Sequence, residues 1–76
     1  MAKNTKMYKY QIIEHIIGSV DFTTKEEVIY FAKRMLELVR ANNEYSLDVK
    51  QSFEDAYAEL LDLTLDNLKE IKKIIS

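Results

Sequence analysis

Apolar residues in this chain recur every three to four positions in four stretches, the spacing of one side of an α-helix. In the first, Met7, Tyr10, Ile13 and Ile17 keep that spacing, with Tyr8, Ile12 and Ile16 beside them. This predicts a helix over about 7–17 whose apolar surface is too broad for one neighbour to cover. Gly18 then offers the left-handed conformation that ends many helices. Tyr8, Tyr10 and Ile12 also alternate with polar residues, which fits a short strand, but no second strand is available to pair with it.

The other three stretches each open on a capping residue. Thr24-Lys25-Glu26-Glu27 has the form of a capping box and predicts a helix over 25–41. On its wheel Val28, Phe31, Ala32, Met35, Leu36, Leu38 and Val39 fall on one half, and Lys33, Arg34, Glu37 and Arg40 on the other. Asn42-Asn43 is a natural stop, because asparagine tolerates left-handed backbone. Ser46 caps a third helix over 47–62, with Val49, Phe53, Ala56, Tyr57 and Leu60 as its apolar stripe and Asp48, Asp55, Glu59 and Asp62 opposite. Thr64 reads as a further N-cap, with Leu63 and Leu68 as a hydrophobic staple, opening a helix over 65–75 that buries Leu68, Ile71 and Ile75. A single helix from Leu47 to Ile75 competes, since Leu68, Ile71, Ile74 and Ile75 stay near the same stripe. The break is preferred because Thr64 would otherwise sit inside an apolar seam.

Composition agrees with helix throughout: the 76 residues include one glycine, no proline and no cysteine. The fold class expected is all-α, one compact bundle of three to four helices with residues 1–6 as a fraying arm. A domain this small buries only about 60 % of the surface its unfolded chain exposes and often needs a staple. Disulfides are excluded, and His15 alone is a poor start for a zinc site. Association remains, so a homodimer is expected from a chain that is 47 % apolar. A net charge of −2 excludes a strongly basic nucleic-acid binder by composition. No apolar run is long enough to span a bilayer. The N-terminal residues lack a secretory pattern, which points to the cytoplasm. Abundant lysine and isoleucine, with Arg34 and Arg40 the only arginines, fit a bacterial or phage source.

Candidate chemistry is sparse. His15 is flanked by Glu14 and Ile16, with nothing nearby that marks a nucleophile–base pair. The acid pairs Glu26-Glu27 and Glu54-Asp55 are adjacent, so their side chains diverge on a helix. There is no glycine-rich phosphate loop, and the sequence offers no catalytic, cofactor-binding or metal-binding set.

The charge pattern says more. Residues 44–66 carry seven carboxylates against Lys50 alone, while the flanking segments are mildly basic. The third helix is thus an acidic rod, and Asp48, Asp55, Glu59 and Asp62 are candidates for docking on a basic surface, whether another protein's or Lys69, Lys72 and Lys73 of a second copy. On the second helix Tyr30 stands on the polar face beside Arg34, the pairing of residue types that anchors many interfaces. The leading expectation is a non-enzymatic regulatory or adaptor module that binds another protein through a charged helical face. The alternative is a small nucleic-acid-binding transcriptional regulator using Lys3, Lys6 and Lys9 interleaved with Tyr8 and Tyr10, although tyrosines so placed also pack readily on a bundle.

Overall fold

Local caps start the helices. The structure is a computed structural model and describes residues 8–76. It contains α1 (Lys9–Ser19), α2 (Lys25–Ala41), α3 (Leu47–Asp62) and α4 (Leu65–Ile75), and no strand among the described residues. At the start of α2 the Glu27 carboxylate accepts from the backbone N–H of Thr23 at 2.7 Å and of Thr24 at 3.1 Å. Those two bonds hold the Glu27 carboxyl below its usual range. Ser46 accepts from the N–H of Val49 at 3.2 Å. Thr64 and Asn67 cap each other, each side chain accepting from the other's N–H at 3.1 Å. That reciprocal cap, with Leu63 packed on the core and Leu68 fully buried, makes the break between α3 and α4 and rules out one continuous helix over 47–75.

Helix α1 departs from the sequence reading at both ends. Tyr8 is its N-cap, with its N–H donating to Gln11 Oε1 at 3.1 Å, so the helix begins at Lys9; Met7 lies outside the described residues. Gly18 does not end it. The helix runs through Gly18 to Ser19, and no described residue has positive φ. The terminal carbonyls are taken instead by the Lys72 ammonium of α4, which donates to Ile17 O at 3.0 Å and Val20 O at 2.7 Å. Asn42 likewise ends α2 without left-handed backbone: it is extended (φ −94°, ψ 115°), and its side-chain oxygen accepts from the Glu44 N–H at 2.8 Å.

Helices α2 and α3 form an antiparallel hairpin. At one end the Lys25 ammonium donates to the Leu61 carbonyl. At the other, Arg40 makes a two-pronged pair with Glu54 (2.7 and 2.8 Å), and Lys50 donates to Arg40 O at 3.2 Å. Helix α1 packs against all three other helices, which explains its wide apolar surface. Ile12, Ile13, Ile16 and Ile17 of α1 meet Val28, Ala32, Leu36 and Val39 of α2 and Val49, Phe53, Ala56 and Leu60 of α3; α4 adds Leu68. Every buried residue among those described is apolar.

Three apolar side chains near the predicted stripes stay outside this core. The wheel puts Leu38 on the apolar half of α2, yet it is 67 % exposed. It lies about 115° round the helix from the mean direction of Val28, Ala32, Leu36 and Val39. Tyr8 and Tyr10 flank the isoleucine stripe and are 55 % and 62 % exposed.

Candidate partner-binding surfaces

The residues singled out by sequence fall on two separate faces. On α3, Asp48, Asp55 and Asp62 succeed one another at intervals of two helical turns, so they stand in a line with about 10 Å between neighbours. All three are exposed, and none forms an ion pair with another described residue. Asp55 accepts a neutral bond from Gln51 Nε2 at 3.0 Å. Asp48 also sits in the first turn of α3, where a negative charge complements the helix dipole. Ser52 and Ala58 border the row with short side chains, and Gln51 and Glu59 border it with longer ones.

Glu59 leaves this row. Sequence places it on the open acidic face; in the structure it is half-buried and accepts from the Lys9 ammonium at 3.4 Å, tying α3 to α1. Lys9 also lies over the Tyr10 ring, 4.9 Å from its centroid. The hydrogen bond to Glu59, first among several influences, raises the Lys9 pKa above its ordinary value. One lysine of the basic arm is thereby paired with a carboxylate of the bundle; Lys3 and Lys6 lie outside the described residues. Lys72 is withdrawn too, as the cap of α1, leaving Lys69 and Lys73 as the exposed cations of α4.

On α2, Tyr30 and Arg34 are brought together: the guanidinium donates to the Tyr30 hydroxyl at 3.2 Å. Tyr30 is 63 % exposed and borders a shallow groove of about 450 Å³ shared with Lys25, Glu26, Ile29 and Leu61. Leu61, 46 % exposed, has no place in the sequence reading, where Leu60 fills the stripe position. The available signal is the Leu60-Leu61 pair itself: adjacent residues on a helix point about 100° apart, and on α3, whose buried residues form a single stripe through Leu60, Leu61 falls outside it. The aspartate row lies about 100° or more round α3 from Lys50, Glu54 and Leu61, which touch α2. The structure therefore does not merge the two faces into one site.

Neither face gathers histidine and carboxylates into a group able to hold a metal ion; the described residues contain no such group. His15 is exposed on α1, and its carbonyl accepts from the Ser19 hydroxyl at 2.7 Å. No helix among the described residues is long and apolar enough to cross a membrane. No protein-family model, curated protein or solved structure matches this chain.

Proposed function

We propose that this chain is a small, non-enzymatic regulatory or adaptor module that works by binding another protein through the acidic face of α3. The observation that carries this reading is the straight row of Asp48, Asp55 and Asp62, exposed and without an internal counter-ion among the described residues. Three like charges at two-turn spacing repel one another weakly in the free protein and offer a register that a basic helix or strand can match. The partner this selects is a protein surface with spaced lysines or arginines. Association of two copies belongs to the same reading. It is supported by large apolar side chains left in water on the α2–α3 hairpin, Tyr30, Leu38 and Leu61 among them. The reading also includes a cytoplasmic setting in a bacterium or its phage, for which the support is the lysine- and isoleucine-rich, arginine-poor, cysteine-free composition.

The test is affinity capture with the immobilised chain, run beside Asp48→Asn, Asp55→Asn and Asp62→Asn combined. A protein retained by the native chain, eluted by moderate salt and lost with the triple variant fits the proposal. Retention unchanged by the triple variant, with helicity intact by circular dichroism, refutes this face as the docking surface.

A further inference from the structure

The outward ridge of α2 has a symmetry of its own. At about 100° per residue, Glu27, Tyr30, Leu38 and Ala41 all project within about 40° of the direction of Arg34. Glu27 and Tyr30 precede Arg34 by the same intervals at which Ala41 and Leu38 follow it. All of these side chains are exposed. This is a coiled-coil-type seam without a partner, centred on one residue.

We infer that this seam is covered by the α2 of a second copy, lying antiparallel about a two-fold axis at the level of Arg34. The inference rests on the reading that two copies associate, and it states where. Two-fold symmetry requires the patch to complement itself. With Arg34 at the centre, Tyr30 of each copy shares a layer with Leu38 of the other, so the two largest exposed apolar side chains of the ridge cover one another twice. Ala41, which is small, faces Glu27.

The charges close in the same arrangement. Tyr30 and Glu37 lie on the same flank of the ridge. Rotation about the two-fold brings the Glu37 carboxylate of the second copy beside the Tyr30 hydroxyl of the first. That hydroxyl already accepts from Arg34 at 3.2 Å, so its own proton is available for the carboxylate. Arg34, Tyr30 and the opposing Glu37 then form a short charge-assisted chain, repeated by symmetry. The two arginines at the centre are like charges, but each guanidinium is drawn along the helix towards its own Tyr30, away from the other, and towards an opposing carboxylate. Helix α3's aspartate row stays outside this contact, so a dimer presents two acidic rows to a partner.

Sedimentation equilibrium from about 1 µM to about 1 mM tests the arrangement. The native chain should move from monomer to dimer mass across that range. Leu38→Lys should stay monomeric with unchanged helicity. Arg34→Glu and Glu37→Arg should each weaken the dimer about tenfold or more. The double swap, which restores opposite charges across the two-fold, should recover affinity to within about threefold of the native chain. A native chain that stays monomeric throughout overturns both the dimer and this interface, leaving the α3 reading standing. A dimer that survives Leu38→Lys, or a double swap no better than the singles, overturns this interface alone.

Discussion

Removing the Lys72 ammonium should weaken the fold more than removing any other lysine on α4. Helix α1 has no basic residue in its last turn, and its final carbonyls are met from outside by Lys72, at 3.0 Å from Ile17 O and 2.7 Å from Val20 O. Lys72→Met keeps an unbranched apolar stem and deletes only the donor and the charge. The stem stays beside Phe22, whose ring centroid lies 5.9 Å from the ammonium. A hydrogen bond to a charged group contributes about 1.5–3 kcal/mol net. The side chain is 29 % exposed, so water replaces part of what is lost. The 3.7 Å pair with the fully exposed Asp21 adds little. A cation at a partly buried helix C-terminus contributes up to about 2 kcal/mol. The net cost is therefore about 1.5 kcal/mol, or a fall in Tm of roughly 6–12 °C for a chain of this size. Urea unfolding followed by circular dichroism measures it, with Lys69→Met, an exposed neighbour, as control. Equal midpoints for the two variants, both within about 0.5 kcal/mol of the native chain, would refute the capping role.

Gly18→Ala should stabilise the fold by about 0.5–1 kcal/mol in the same urea assay, because a helical glycine costs backbone entropy. The residue has no positive φ, and the added carbon would meet Ile75 Cδ1 at an ordinary 3.5 Å; a destabilised variant would show that this approach is tighter than described. Leu68→Ala should cost about 3 kcal/mol, and a loss below about 1 kcal/mol would mean that α4 is not docked as described. That fully buried side chain is the one residue of α4 in the central core. The Glu27 carboxyl titrates below its usual value, so its contribution is complete above the ordinary glutamate pKa near 4.5 and is lost as pH falls through the lower folded value. Glu27→Gln should flatten the acid limb of a stability–pH profile, and an unchanged limb would show that the cap does not act in solution.

What can be read from sequence divides by range. Thr24, Ser46 and Thr64 are legible as helix starts because capping is decided within three or four residues. The end of α1 is illegible for the opposite reason. Its cap comes from a residue 52 positions from Val20, and no local rule announces that, so Gly18 draws the terminator role that Lys72 performs. The pairing of Glu59 with Lys9 spans 50 positions and likewise removes a residue from the acidic face where its own helix wheel places it. Leu38 shows a limit of the wheel. A half-circle is wider than the strip a helix buries, so apolar residues at its margin can stand in water, where they are available for recognition. Tyr30 is visible because an aromatic on a charged face is conspicuous; its groove is not, since Leu61 reaches it from another helix.

In the proposed division of work the α2 ridge meets a second copy, and the α3 aspartate row stays open for a different protein. A dilution series of backbone amide and aromatic NMR spectra examines that division residue by residue. Resonances of Tyr30, Arg34, Glu37 and Leu38 should move with concentration while those of Asp48, Asp55 and Asp62 hold still. Concentration-dependent shifts centred on the aspartates, with the α2 ridge unmoved, would contradict it.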